Sequence, residues 1–496
     1  MNKILLADVN PYQTRVALLE DGELSEYYVE RPGRERLAGN IYKGVVRNVL
    51  PGMEAAFVDI GLEKNAFLYL GDVTLESSDF EFGEGGPQKP EPKQIRQVLR
   101  EGQELLVQVL KDPSGTKGAR ITTSITLPSR LMVMMPRMEY VGVSRRIDDE
   151  GERMRLKRTA EGMRPPGVGL IIRTAAQGVS AEELADEIPT LYEWWKELER
   201  REKQVTAPKE LYRDQGLAVR SFRDMFDREV TRFVVNDRKT YNEIHAQMLE
   251  QGLETGPLEC MDGAYDLFDR FSIESQIKKT LQRKCWLKSG GYLIVDHTEA
   301  LTVIDVNTGK YVGDNNLQDT ILHTNKEAAQ EIARQIRLRD IGGIILIDFI
   351  DMASECHRDE LLNVLREALR RDRTRTNVLG LTQLGLVEMT RKKIRQRVST
   401  IMHTTCPYCS GSGRILTAQS IALDVYRQYK RAMDVAPAPR YMLKAHADVV
   451  EYLEKSGMAK EMKNVDLYAS RSAHAESFKL SPVAEGDPLS GVVSKA

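Results

Sequence analysis

Two short apolar runs, each ending in a carboxylate, dominate the hydropathy pattern: Leu301-Thr-Val-Ile-Asp305-Val-Asn307-Thr-Gly309 and Ile341-Gly-Gly-Ile-Ile-Leu-Ile-Asp348-Phe-Ile-Asp351. Val, Ile and Leu bounded by Gly predict strands buried on both faces. Between them, Ile321, Ala328, Ile332 and Ile336 recur at helical spacing among Glu, Gln, Arg and Lys. The pattern predicts a strand, helix, strand unit. Its strands would be neighbours in one sheet, and the polar residue at each carboxyl end would fall in the crevice where open α/β sheets bind ligands. In that arrangement Asp305 and Asp348 can share one metal ion. Acids at strand ends also cap the turns that follow them, which is the plainer alternative. Three details favour the ion. Asn307, two residues beyond Asp305, points to the same side in an extended segment, and Gly309 frees the backbone just after it. Asp348 and Asp351 also stand in an otherwise oily run, where an unpaired carboxylate costs on the order of several kcal/mol. Pattern alone leaves both readings standing.

The rest of the chain falls into segments. Residues 1–35 alternate as strands (Ile4, Leu6, Val16, Leu18) about the turn Asp21-Gly22, a hairpin too small to be a domain. From Gly39 to Ser124, short strands separated by Gly predict a small five-stranded barrel. Glu76 to Lys93, rich in Gly, Pro, Glu and Ser, is expected to be a loop insertion. Residues 125–216 hold a strand through Gly167–Gly178 and a charged helix carrying Trp194 and Trp195. The stretch 217–288 is expected to be helical and charged, and 417 to about 470 mostly helical with some strand before a polar tail.

Composition changes this picture little. At 496 residues, with 41% hydrophobic and 29% charged, the chain exceeds a single core, so several subdomains are expected. The net charge of -2 does not argue against polyanion binding, since basic residues cluster at 153–158, 370–375 and 391–397. Each such run taken singly is more often a solvated helix face. The first ten residues do not read as a signal peptide, and no apolar run reaches the roughly 18 residues of a membrane span. Five cysteines, an odd number, argue against a disulfide framework and for a reducing cytoplasm.

The run from Asn325 through Ile332, Arg339 and Gly343, flowing into Ile347-Asp-Phe-Ile-Asp-Met352, resembles the catalytic core of the ribonuclease E/G family, and the likeness extends from Leu5 to about Arg414. The resemblance implies a multidomain α/β protein. A ribonuclease-H-like domain (1–35 with 217–280) would carry an inserted OB-type barrel of the ribosomal S-one class (36–124). A 5′-monophosphate sensor region (125–216), a deoxyribonuclease-I-like catalytic domain (281–402), a zinc link (403–416) and a small C-terminal domain (417–496) would follow. Having no extended disordered scaffold, the chain is similar to the shorter, G type of the family. By the same resemblance Asp305 and Asp348 hold a catalytic magnesium and Asn307 orients the site. Phe57 and Phe67 stack on bases, Lys117 meets the RNA backbone, and Arg173 with Thr174 grips a 5′-phosphate. Stacking on an aromatic contributes roughly 1–3 kcal/mol without reading sequence, and Lys43, Arg47 and Lys64 flank the rings. Ser129 stands where the family pattern expects Gly beside that phosphate. His297 and His323 are left out of the chemistry, because the family works with metal and carboxylates.

Cys406-Pro-Tyr-Cys409 precedes Ser410-Gly-Ser-Gly413. A structural zinc wants four ligands and this motif supplies two. Cys-Pro-Tyr-Cys is also a glutaredoxin-type redox motif, but the glycines that follow suit a knuckle better than a helix. Cys260, Cys285 and Cys356 have no second cysteine at knuckle spacing. Two chains donating one pair each would complete the site and make an isologous homodimer, which matches the zinc link of the family; whether such dimers pair into tetramers is left open at this point. The sequence thus reads as a cytoplasmic, magnesium-dependent endoribonuclease for single-stranded RNA that leaves 3′-hydroxyl and 5′-monophosphate ends, with rRNA and tRNA processing and mRNA decay as its setting. The alternative is a non-catalytic RNA- or ribosome-binding protein.

Overall fold

Alternation at the amino terminus builds three strands rather than one hairpin in the computed structural model, which describes residues 2–33, 36–73, 94–113, 117–263, 266–309, 317–435 and 437–483. Lys3–Asn10, Gln13–Glu20 and Glu23–Glu30 form an antiparallel meander. The expected turn at Asp21-Gly22 is present, with φ of 50° and 84°. The other reversal, at Pro11-Tyr12, has no glycine to announce it. There the Asn10 side chain accepts from the amides of Tyr12 and Gln13, both at 3.0 Å, and so replaces the glycine signal.

This meander supplies three strands of a five-stranded sheet. Val230–Val235 joins Lys3–Asn10 in parallel, and Leu258–Cys260 extends the sheet beyond it. The stretch expected to be helical therefore contains three strands, these two and Lys284–Trp286, beside helices that include Leu217–Met225 and Arg238–Glu250. Both faces of the sheet are covered, one by Phe222 and Ile244, the other by Phe268, Ile273 and Ile277.

Ile41–Leu50, Ala55–Asp59, Ala66–Tyr69, Arg120–Thr122 and Glu104–Lys111 close into a five-stranded barrel, the last strand pairing back to the first. Val46, Val58, Leu68, Val107 and Ile121 fill it. Gly44 admits the close approach of strands, because a Cβ there would lie 2.8 Å from the Val58 side chain. The expected insertion at 76–93 lies outside the described residues. Residues 127–172 form a four-stranded sheet in the order Val141–Val143, Val168–Ile172, Met132–Pro136, Leu127–Pro128. It is covered by helices Glu150–Met163, capped by Asp149, and Ala181–Gln204, capped by Ser180.

The strand, helix, strand unit is present, in a six-stranded sheet ordered Lys284–Trp286, Tyr292–His297, Leu301–Asn307, Gly343–Asp348, Val387–Arg391, Thr376–Leu381. Only the central pair, Leu301–Asn307 with Gly343–Asp348, is parallel. The strands are not buried on both faces as expected. Helices Leu317–Leu338 and Glu355–Leu369 both lie on one side, where Leu293, Ile304, Ile345, Ile347 and Val387 are buried. The opposite face, with Asp305, Asn307 and Asp348, is half-buried to exposed. The strand ends at Asp348, and both Asp348 and Asp351 are exposed, so the full cost of burying an unpaired carboxylate, invoked for them, does not arise.

The chain divides into two compact units, Met1–Met402 and His403–Ala496. In the second, strands ordered Val465–Ser470, Tyr441–His446, Phe478–Pro482 are covered by helices Ala418–Val435 and Ala447–Lys455. Among the described residues no helix is long and apolar enough to cross a membrane.

Candidate active site

Asp305 and Asp348 are register partners across the parallel pair, at the carboxyl ends of adjacent strands. Asn307 lies on the same face and donates to Asp305 Oδ2 at 2.7 Å, which orients that carboxylate. The backbone beside it is tightly built. A Cβ on Gly309, where φ is +62°, would lie 2.3 Å from the Gly290 carbonyl oxygen, and one on Gly291 would lie 2.8 Å from that of Asn307. A residue not singled out in the sequence fixes the other side. Asn325, fully buried on its helix, donates to Ile350 O at 2.8 Å and accepts from Ile350 N at 3.1 Å, pinning the chain between Asp348 and Asp351. A buried Asn amid the helix's apolar positions was the available signal.

The Asp348 carboxyl is held above the usual carboxylate range by partial burial and by repulsion from Asp305 and Asp351. A divalent cation would relieve that repulsion. Among the described residues no three His, Cys, Asp or Glu side chains group as a metal cage. Two carboxylates completed by water and phosphate oxygens are nevertheless how magnesium is commonly held, so the donors present fit that ion. His297 pairs in register with Thr302, three residues back along the strand from Asp305, and bonds its hydroxyl.

On the barrel, Phe57 and Phe67 are register partners with ring centroids 5.4 Å apart. Tyr69, missed in the sequence although it lies two residues on and therefore on the same face, meets Phe67 at 4.3 Å, and Arg120 lies 5.0 Å from the Tyr69 ring. Lys117 is exposed just before the Arg120–Thr122 strand. Two of the flanking cations are already engaged: Lys43 with Glu104 and the carbonyls of Glu202 and Val205, and Arg47 with Asp59.

Arg173 donates to Asp224 Oδ1 at 3.0 Å from both terminal nitrogens and to Ser129 O at 2.7 Å. Burial pushes the Asp224 carboxyl up, but Arg223 and Arg173 overcome it and hold the group ionised far below the usual range. Thr174 Oγ1 is exposed and 2.9 Å from Ser144 Oγ. The Ser129 amide is bonded to Met132 O at 2.9 Å, so it is not turned toward Arg173 as a free donor.

Cys406 and Cys409 lie in a turn whose amides fold back: Gly413 N donates to Cys409 Sγ at 3.3 Å. Amide donation from Gly413 and Gly411 lowers the Cys409 thiol, favouring the thiolate that binds metal. That donor chemistry fits zinc, with two of the four ligands supplied. Part of each basic run is structural. Arg391 is buried between Asp340 and Asp372, Arg153 and Arg155 pair along their own helix, and Arg373 donates to the carbonyls of Asp224 and Met225.

Residues 126–394 match the model of the ribonuclease E/G family. The chain is 44% identical over 477 residues to "Ribonuclease G" of Escherichia coli strain K12, covering 96% of this chain and 97% of that protein. It is 42% identical over 463 residues to "Ribonuclease G" of Haemophilus influenzae, covering 92% and 94%. To "Ribonuclease E" of Escherichia coli strain K12 it is 35% identical over 469 residues, which is 92% of this chain and 44% of that longer protein. With its length matched almost end to end by the shorter type, the chain belongs to the ribonuclease E/G family.

Proposed function

We propose that this protein is a magnesium-dependent endoribonuclease acting on single-stranded RNA, with Asp305 and Asp348 as the metal ligands. The observation that carries this is their register pairing on the open face of the sheet, where the two carboxylates repel and a strand of RNA has access. Magnesium bound there would activate water and stabilise charge developing on the phosphoryl oxygens. Asn307 keeps one Asp305 oxygen occupied and leaves the other for the ion. Asn325 holds the Asp348 loop in place. Attack by water rather than by a ribose hydroxyl leaves a 3′-hydroxyl and a 5′-monophosphate.

In this reading Phe57 and Phe67 stack on bases, Lys117 meets the phosphate backbone, and Arg173 with Thr174 receives a 5′-monophosphate, Arg173 exchanging part of its bond to Asp224 for the ligand. Residues 1–35 with 217–280 serve as the ribonuclease-H-like domain, 36–124 as the RNA-binding barrel, 125–216 as the sensor region and 281–402 as the deoxyribonuclease-I-like catalytic domain. Residues 403–416 form the zinc link, with Cys406 and Cys409 of two chains sharing one ion in a homodimer that can pair into a tetramer, and 417–496 form the small terminal domain. The setting is cytoplasmic rRNA and tRNA processing and mRNA decay. Incubating a defined oligonucleotide with the protein, with magnesium or with EDTA, and identifying the new ends tests the reading. RNA binding without cleavage in magnesium would instead favour the non-catalytic alternative.

A further inference from the structure

The open face of the six-stranded sheet carries more than the two carboxylates. Directly opposed residues in neighbouring strands put their side chains on the same face. Trp286, Tyr292 and Asn307 therefore make one row across three strands, and Lys284, Ile294, Asp305 and Asp348 make the next. Cys285, between Lys284 and Trp286, points the other way, its thiol against Glu331 on the covering helix. Trp286 is 62% exposed, an unusual state for a ring of that size beside a packed sheet. Its centroid lies 5.4 Å from that of Tyr292, and the Lys284 ammonium sits 3.8 Å from the first ring and 3.6 Å from the second. Among the described residues Lys284 has no carboxylate partner, whereas its neighbour Arg283 is bound to Asp296. With strands about 4.8 Å apart, Tyr292 adjoins Asn307 and Trp286 lies about 10 Å from it.

We infer that Trp286, Tyr292 and Lys284 form a nucleotide subsite beside the scissile position, in which the exposed Trp286 ring stacks on a base of the single-stranded RNA and the Lys284 ammonium faces its phosphate. Aromatic rings bind every base through its π-face, and an adjoining cation tracks the backbone. The occupant is RNA because the rings are continuous, on one face, with Asn307 and Asp305. The subsite positions substrate and does not enter the bond-breaking step. The inference rests on the proposal that Asp305 and Asp348 cut RNA.

The test uses the full-length protein and a 5′-hydroxyl single-stranded oligonucleotide, so that no 5′-phosphate contact contributes. Trp286→Ala raises KM about tenfold with kcat little changed, Trp286→Phe restores most of the affinity, and Lys284→Ala gives a smaller rise that salt abolishes. In an Asp305→Asn background, 2-aminopurine placed along the oligonucleotide is quenched at one position flanking the cut, and Trp286→Ala removes that quench. Unchanged KM and quenching in folded Trp286→Ala overturn the inference. A fall in oligomeric mass of that variant without any change in RNA affinity also overturns it, by making the rings a contact between chains. Cleavage surviving in Asp305→Asn would sink the metal assignment instead, and the quenching would still read out the subsite.

Discussion

Asp305 and Asp348 stand directly opposite one another in register although 43 residues separate them in the chain, because a helix returns the chain to lay the second strand parallel to the first. Two like charges are thereby held together, and the Asp348 carboxyl is raised by partial burial and by its acidic neighbours. Asp305→Asn or Asp348→Asn is expected to abolish cleavage while RNA binding, proposed for the barrel, survives, since each would remove one of the two proposed hard oxygen ligands. Relief of repulsion gives an independent readout. In EDTA at neutral pH both variants should melt above the unmodified protein, and magnesium should raise the melting temperature only of the latter. Equal melting in EDTA would contradict the repulsion argument.

Asp351 supplies part of that repulsion. As a proposed metal ligand Asp348 would have to be ionised for cleavage, so its raised pKa is expected to place the loss of activity on acidification at a higher pH than an ordinary aspartate would. Asp351→Asn lowers the Asp348 pKa and should move the acid limb of kcat/KM to lower pH at fixed, limiting magnesium. The linkage sign agrees. A carboxyl raised in the folded state stabilises the metal-free protein at low pH, and that contribution is lost as pH rises through the folded pKa. An acid limb that stays put in Asp351→Asn, or shifts to higher pH, counts against the assignment.

Asn325 satisfies both the N–H and the C=O of Ile350 from inside the helix layer. Asn325→Ala leaves two backbone groups unpaired, at about 1–3 kcal/mol in stability, and frees the Asp348 loop. Activity should fall more than stability explains, seen as a drop in kcat at temperatures well below the melting point. A fully active, merely less stable variant would show that the loop does not need the clamp.

Arg173 is held by Asp224 and the Ser129 carbonyl. Arg173→Gln should reduce the preference for 5′-monophosphorylated over 5′-hydroxyl RNA by about ten- to a hundred-fold, the equivalent of roughly 1.5–3 kcal/mol for a charge-assisted hydrogen bond, and should leave 5′-hydroxyl cleavage intact. If the unmodified protein cuts both substrates equally, the occupied Ser129 amide is the first suspect.

In the proposed zinc link, Cys406 and Cys409 would provide half of a tetrahedral site. Native mass spectrometry with metal analysis is expected to give half a zinc per chain in a dimer, and a monomer without zinc when both cysteines become Ser. One zinc per monomer would refute sharing.

By itself the sequence determined the parts whose signal is local. The Val and Ile runs with their terminal acids marked the central strand pair, Gly spacing marked the five barrel strands, and Cys406 to Gly413 marked the knuckle turn. Each depends on side-chain size or backbone freedom within a few residues. The tertiary structure decided what depends on residues far apart in the chain. It paired Val230–Val235 with the amino-terminal meander, covered only one face of the sheet that carries Asp305, consumed Arg391 in a buried ion pair, and set Trp286 and Tyr292 in a row with Asn307. Hydrophobic periodicity records that a residue is buried but not by what. Charge clustering likewise does not record where the counter-charge lies, so both were settled only when the elements packed.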